Sequence, residues 1–338
     1  MNVKYTLILL LLLSSRVLLS QDTQATFRVM FYNVENYFDI RNDSLKNDDE
    51  FTPGGLRKWD YFRFRKKQQN ISKVIAGVGE EHLPAIIGLC EVENDSCLIA
   101  LTRYAVLKHL GYRFLITDSP DERGINVALL YQRDQFKVLS NKEINVSGFR
   151  DYKPTRNILY VKGQTLTMDS LHVFVVHLPS RSSGKKQSDA YRAHVIDRFI
   201  SVIDSLNIHE KDPNIIVMGD FNAGPEEVVL DQFRKGTGLS LLRHKQKGFG
   251  TYKYRGEWET IDHFFVSSAL LNQSGHMSLK KESSTIYAPA FLLKPDEVYN
   301  GEKIFRTYSG YRYEGGFSDH LPIFFDVELK WNERNAEY

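Results

Sequence analysis

Residues 173–177 read Val173-Phe174-Val175-Val176-His177, and residues 215–222 read Ile215-Ile216-Val217-Met218-Gly219-Asp220-Phe221-Asn222. Between them, residues 189–206 carry Val195, Ile196, Phe199, Ile200 and Ile203 at helical spacing. Two short β-branched runs that end in polar residues, joined by an amphipathic helix, describe two strands. Such strands deliver His177, Asp220 and Asn222 to a rim.

The pattern extends outward in both directions. Apolar runs of strand length recur at residues 27–32, 85–89, 127–131, 263–266 and 323–327. A second helix is expected over 65–78, with Ile71, Val74, Ile75 and Val78 on one face. Helices and strands alternate unevenly, and the later strands lack long helical crossovers. This favours a mixed, largely antiparallel α/β arrangement over a doubly wound parallel sheet. No repeat or low-complexity linker divides the chain, so one domain is expected over residues 24–331. Polar connections at 41–57, 145–157 and 280–318 are long, and loops of that length tend to carry function.

Chemistry-bearing side chains stand just after the apolar runs. They are Asn33 and Glu35, Glu91 and Glu93, His177, Asp220 and Asn222, Asp262, and Asp319 with His320. Several carboxylates and carboxamides with two histidines suit a hard, oxygen-ligated cation such as Mg²⁺, with Mn²⁺ or Ca²⁺ able to substitute. Such an ion offsets phosphate charge, and a histidine oriented by a carboxylate can activate water. Zinc-type Cys/His spacing, a Walker loop and a GxSxG elbow are all missing from the sequence.

These residues also carry a family resemblance. Met218-Gly219-Asp220-Phe221-Asn222 resembles the GD[FL]N motif of the endonuclease/exonuclease/phosphatase superfamily, and Ser318-Asp319-His320-Leu321-Pro322 resembles its SDHxP motif. Cys90-Glu91 stands where the superfamily has Gln-Glu, and Asn33 matches the Asn that ends its first strand. The segment 173–222 is similar in pattern to deoxyribonuclease I. The motifs occur in the expected order over nearly the whole chain. The resemblance implies a four-layer α/β sandwich: two packed, mainly antiparallel sheets flanked by helices, with a metal site at the strand ends. It implies Glu91 as principal metal ligand, aided by Asn33 and Asp319, with Glu35 near the metal as in the exonuclease III branch. It implies that Asp262 orients His320, which handles the attacking water, and that Asp220 and Asn222 position water and phosphate. His177 would face the phosphate from the other side. Arg156 resembles a phosphate-contacting Arg of deoxyribonuclease I, and Arg181 is a second candidate for that role. Two features depart from the pattern. Ile125 falls near the position of the acidic partner of His177, leaving Glu122 or Asn126 as substitutes. The segment 307–316 has no counterpart in deoxyribonuclease I.

Plainer roles compete at some positions. His263 follows Asp262 on the opposite strand face, which favours a packing role. Glu93 would share a face with Glu91 if both lie in a strand, as a ligand or as structure. Lys185 and Lys186 beside Arg181 form either a phosphate patch or a solvated loop. Tyr308, Tyr311 and Tyr313 could stack on bases, but packing is the more frequent use of Tyr.

The first twenty residues combine Lys4 with an apolar run from Tyr5 to Leu13 that is short for a bilayer span, and so read as a signal peptide cleaved after Ser20. An uncleaved N-terminal anchor is the alternative; a lipoprotein is disfavoured because no Cys is near. Cleavage removes Lys4 and Arg16, leaving 42 basic and 42 acidic residues, so the mature chain is formally neutral. Duplex binders usually carry a basic excess. Cys90 and Cys97 make no disulfide framework and are expected as buried thiols. The expectation is therefore an exported, monomeric, metal-dependent phosphodiester hydrolase, with nucleic acid, DNA ahead of RNA, as substrate. Sphingomyelinase-like or small-molecule phosphoester cleavage is the alternative, and an inactive binding module a more distant one. Intact mass and N-terminal sequencing of exported protein should find Gln21 as the first residue; a mature form beginning at Met1 would overturn export with cleavage.

Overall fold

The computed structural model describes residues 24–149, 152–181, 184–246 and 248–331. The expected signal peptide and the side chains of Lys185 and Lys186 lie outside the described part. In chain order the main elements are β1 (Gln24–Tyr37), α1 (Tyr61–Val78), β2 (Pro84–Val92), α2 (Asp95–Tyr104), β3 (Arg113–Ile116) and β4 (Asn126–Tyr131). Then come β5 (Phe136–Ile144), β6 (Ile158–Thr165), β7 (Ser170–His177), α3 (Lys185–His209), β8 (Asn214–Asp220), α4 (Val228–Thr237) and β9 (Ser240–Leu241). The last third holds β10 (Tyr252–Tyr254), β11 (Glu257–Glu259), β12 (Asp262–Val266), α5 (Ser268–Leu271), β13 (Met277–Leu279) and β14 (Thr285–Ile286). It ends with β15 (Leu293–Pro295), β16 (Glu302–Ile304), β17 (Tyr308–Ser309), β18 (Arg312–Tyr313) and β19 (Ile323–Lys330).

One sheet runs β13-β19-β1-β2-β4-β3, with β14 also on β19; the other runs β5-β6-β7-β8-β12-β9. Within these sheets β1–β2 and β7–β8 pair in parallel and the remaining pairs are antiparallel. A parallel pair needs a long crossover, and α1 and α3 supply the two. The fold is thus the α/β sandwich expected, mainly antiparallel with two parallel pairs at its centre.

The sheets pack through alternate side chains of their central strands. Phe31, Leu89, Val175, Met218, Phe264 and Phe325 are fully buried in one cluster between them. Each such side chain contributes roughly 1.5–3 kcal/mol on burial. Gly88 of β2 lies under Met218, where a Cβ would come 2.6 Å from its Sδ, so a larger residue there would displace the Met218 side chain between the sheets. The outer face of the second sheet presents Phe174, Val176, Val217 and Phe265 to Phe199 and Ile203 of α3 and Phe233 of α4. α1 and α2 cover the other face of the first sheet.

Several elements exceed their expected bounds, each for a local reason. α1 starts at Tyr61 because the Asp60 side chain accepts the Arg63 amide at 2.9 Å and caps it. β1 continues past its apolar run to Tyr37, carrying Asn33 and Glu35. β5 was not expected: most of it is exposed and lacks an apolar run. The connection at 280–318 folds into the hairpins β15–β16 and β17–β18, whose two- or three-residue strands leave no periodicity to read. Glu91 and Glu93 do not share a strand face: Glu91 has φ 62° and β2 ends at Val92. Cys90 and Cys97 are buried free thiols, as expected.

Arg28 of β1 is held across the ladder by Asp326 of β19, with Nε and Nη2 donating at 2.7 and 3.0 Å, and its Nη1 donates to the Val78 carbonyl at the end of α1. Removing one partner leaves a buried charge uncompensated. Asp326→Ala should lower the unfolding free energy by roughly 3–5 kcal/mol in a urea titration; a loss near zero would show that water reaches Arg28.

Candidate active site

The β7–β8 and β8–β12 registers place His177 opposite Asp220 and Asp220 opposite Asp262. In the first sheet, Asn33 of β1 pairs with Cys90 of β2, and β19 returns antiparallel to β1. The strand ends of both sheets therefore meet at one rim. There the Asn33 Nδ2 donates to Asp220 Oδ2 at 3.1 Å, across the two sheets. The Ser318 hydroxyl donates to the Asn33 carbonyl at 2.7 Å and fixes the segment that carries Asp319 and His320. Four non-glycine residues here have left-handed backbone: Glu35, Asn36, Glu91 and Asn222, with φ between 49° and 62°. Such strain costs of order 1–3 kcal/mol per residue and persists only where the surroundings enforce it.

A cleft of about 450 Å³ opens at this rim. On its floor, His320 Nδ1 lies 2.8 Å from Asp262 Oδ2, and His320 Nε2 lies 3.8 Å from Asp220 Oδ2. Burial opposes a charge on His320, but Asp262, Asp220 and Asp319 outweigh it and push its pKa up to about 10. Burial and the neighbouring Asp262 carboxylate push Asp220 up to about 7, against His320, the Asn222 amide and Asn33. The Asn222 amide N–H donates to Asp220 Oδ1 at 2.8 Å, and the Asn222 side chain donates to the Leu178 carbonyl at 3.0 Å. His177 Nε2 lies 3.6 Å from Asp220 Oδ2. Burial, then Arg156, Arg123 and His320, hold His177 well below its ordinary pKa, so it is a neutral imidazole. Neither substitute supplies its acidic partner. Glu122 pairs with Lys153, Asn126 donates to the Glu93 carbonyl, and His177 Nδ1 is buried without a partner among the described residues.

The second half of the site is a layer of charges. Glu91 lines the cleft, and its Oε2 accepts the Asn36 amide at 2.9 Å; Arg123 Nη2 stands 3.6 Å away. Asp319 also lines the cleft and accepts from Arg306 Nη2 at 2.8 Å. Burial alone would raise the Asp319 pKa, but Arg306, His320 and Lys67 hold it below its ordinary value. Glu35 lies deeper and differs from the expectation. Both its oxygens are engaged by the protein: Oε1 accepts from Arg306 Nε and Nη2, and Oε2 accepts the Thr307 amide at 2.8 Å. Glu35 therefore anchors Arg306 and the 305–317 segment rather than opening to the cleft. Lys67 is fully buried and donates 2.6 Å bonds to Thr307 Oγ1 and the Phe317 carbonyl. Burial pulls its pKa down to about 8, against the pull of Glu35, Asp319 and Glu91.

The two candidate phosphate ligands are already committed. Arg156 is buried, with Nη1 on Asp121 at 3.2 Å and Nη2 on the Leu178 carbonyl at 2.7 Å. Arg181 pairs with Glu227 at 2.6 Å and Glu259 at 2.7 Å. Arg123, Arg306 and Lys67 were missed in the sequence. Lys67 had left a signal, since it lies four residues before Ile71 on the apolar helix face; Arg306 lies in a connection already marked by its length; Arg123 gave none. His263 packs as expected, with Nε2 2.8 Å from the Ala223 carbonyl. Glu93 is buried outside the cleft, and burial, opposed by its bond from the Asp39 amide, pushes its pKa up to about 8. Tyr308 and Tyr313 pack edge to face beside Trp59, while Tyr311 is exposed over Arg57.

The sequence matches the endonuclease/exonuclease/phosphatase family model over residues 28–329. The chain belongs to that family. No curated protein matches the sequence. Among solved structures, mannosyl-6-phosphatase of Bacteroides thetaiotaomicron VPI-5482 is similar with a TM-score of 0.58 and 19% identity, over 89% of this chain and 99% of that one. ANGEL2, a 2',3'-cyclic phosphatase solved with adenosine-2',3'-vanadate, is similar at 0.60 and 15%, over 92% and 97%. TDP2 of D. rerio, solved with a single-strand DNA product, is similar at 0.54 and 14%, over 90% and 99%. Identities this low establish the shared fold. Membership of this family makes the protein a phosphoester hydrolase, and the family's enzymes are generally dependent on a divalent metal ion.

The donor set of this chain fits such an ion. Asp220, Asp262 and His320 can bring ligand atoms within 4.8 Å of one another, but His320 Nδ1 is already engaged by Asp262 Oδ2 at 2.8 Å. Four carboxylates line the cleft, Glu91, Asp220, Glu259 and Asp319; Glu259 is paired with Arg181 and Asp220 accepts from the Asn33 amide, and Glu91 and Asp319 are the two expected from the sequence as ligands. Hard oxygen donors of this kind suit Mg²⁺ or Mn²⁺.

A general base contributes typically about 10²–10⁴-fold, and its orienting carboxylate acts through it. His320→Ala should therefore lower kcat by about that factor, and Asp262→Asn/His320→Ala should be little worse than His320→Ala alone. Losses that add in log rate would separate the two residues.

Proposed function

We propose that the protein is an exported hydrolase of small phosphoesters that works with Mg²⁺, for which Mn²⁺ or Ca²⁺ substitutes. The observation that carries this reading is the cleft itself: a recess of small-molecule size with Asp262–His320 on its floor and carboxylates on its rim. Glu227 and Glu259 flank Arg181, so the mouth offers little to a long polyanion. The neutral mature chain points the same way. No helix among the described residues is long and apolar enough to cross a membrane.

Glu91 and Asp319 would hold the cation, which supplies charge to offset the phosphate and favours deprotonation of a nearby imidazolium. His320, kept in one tautomer by Asp262, would take the proton of the attacking water at Nε2. Asp220, whose Oδ2 lies 3.8 Å from that Nε2, places a second carboxylate beside the imidazole. Neutral His177 would donate a hydrogen bond from its ring N–H to a phosphoryl oxygen from the opposite wall. The positively charged Arg123 lies over the same space.

DNA cleavage remains the second reading, favoured by Tyr254, half exposed at the cleft mouth as a stacking surface. One panel with the mature protein tests both. Sugar phosphates, p-nitrophenyl esters, sphingomyelin, plasmid, single-stranded DNA and RNA are each assayed with Mg²⁺, Mn²⁺ and Ca²⁺. Turnover of the small esters with intact nucleic acids is expected; the reverse would restore the nuclease. Glu91→Gln should abolish activity and weaken Mn²⁺ binding in calorimetry while the fold persists. Unchanged Mn²⁺ affinity would remove Glu91 from the ligand set.

A further inference from the structure

Beside the catalytic cleft lies a smaller cavity of about 200 Å³. Hairpins β10–β11 and β15–β16 wall it, and Asp319 lines both spaces. Five of its side chains are cationic, Lys253, Arg255, Lys294, Lys303 and Arg306, against the two carboxylates of Asp296 and Asp319.

The charges in this cavity do not balance locally. Asp296 serves two ammonium groups, Lys253 at 3.2 Å and Lys303 at 3.7 Å. Glu314, at the edge, is shared between Lys294 and Arg312. Arg255 has no carboxylate partner among the described residues; its guanidinium rests 5.2 Å above the Tyr254 ring. Arg306 spends Nε and Nη2 on Glu35 and Asp319, and its Nη1 carries no hydrogen bond among the described residues. Burial and the like charges of Lys303 and Arg312 depress the Lys294 pKa, a repulsion that a bound anion relieves.

The turn that presents Arg255 adds a separate observation. Arg255 and Gly256 both have positive φ, 48° and 91°, as a two-residue hairpin turn of this hand requires. Gly256 suits the position, and a Cβ there would come 2.9 Å from Tyr299. Arginine is disfavoured in this conformation, where Asn or Asp is usual. The conformational cost places a guanidinium at the cavity wall.

We propose that this cavity is a second oxyanion subsite, and that the substrate is a small molecule bearing a second phosphate besides the one hydrolysed. Arg255, Lys303 and the open Nη1 of Arg306 would hold that group by charge-assisted hydrogen bonds. Arg306, anchored by Glu35, then ties the subsite to Asp319 of the cleft. The substrate class rests on the small-phosphoester reading; the subsite itself does not.

Two measurements on wild type and Arg255→Ala/Lys303→Ala test the proposal, after circular dichroism confirms that the variant is folded. Calorimetric titration with inorganic phosphate in chelator, where no metal assists binding, should show affinity about tenfold weaker in the variant, since charge-assisted bonds are lost. Equal affinity in wild type and Arg255→Ala/Lys303→Ala overturns the subsite. The kcat/KM ratio of fructose 1,6-bisphosphate to fructose 6-phosphate should exceed about ten in wild type and fall about tenfold in the variant, chiefly through KM. A ratio near one in wild type, or the same ratio in both proteins, overturns the second-phosphate assignment. If neither sugar phosphate is hydrolysed while DNA is, the small-phosphoester reading fails, and the phosphate titration still decides the subsite.

Discussion

The 3.1 Å hydrogen bond from Asn33 to Asp220 joins the two sheets at the rim where every reactive group lies. Asn33 ends the apolar run of β1 and Asp220 ends β8, so the bond exists only when both strands reach their full register. Around it, Ser318 fixes the Asp319-His320 segment to the Asn33 carbonyl, and Asn222 closes on the other Asp220 oxygen. A sandwich packed as tightly as Gly88 against Met218 leaves little freedom for one sheet to slide on the other. Sheet packing thus fixes the strand-borne half of the site, and the Ser318 bond fixes the segment before β19 to it.

Concentrating carboxylates at such a rim creates an electrostatic problem. Glu35, Asp220, Asp262 and Asp319 are all buried or nearly so, and isolated buried carboxylates are costly. The protein meets this with three built-in cations: Lys67 from α1, Arg306 from the segment before β17, and the imidazolium of His320. Each comes from a different part of the chain. Arg306 bridges Glu35 and Asp319 and reaches towards the basic cavity, so charge compensation and substrate recognition share one guanidinium. The left-handed backbone at Glu35, Asn36, Glu91 and Asn222 is the conformational counterpart of this arrangement.

The sequence by itself determined the sandwich and most of the rim. Periodicity located the central strands, because β1, β2, β7 and β8 are buried on both faces and read as continuous apolar runs. Motif order located Asn33, Glu91, His177, Asp220, Asp262, Asp319 and His320, because a strand end fixes where a side chain points. Edge strand β5 and hairpins β15–β18 escaped notice, because exposed or very short strands carry no hydrophobic pattern. What only the tertiary structure decided was which charge meets which. Arg156 and Arg181, legible as phosphate ligands, turned out to be held by Asp121, Glu227 and Glu259. Glu35 proved to hold Arg306, 271 residues away in the chain. Lys253, Arg255 and Lys303 became one cavity through the meeting of two hairpins. The physical reason is that burial follows local periodicity, whereas an ion pair depends on distances between segments that only the folded chain brings together.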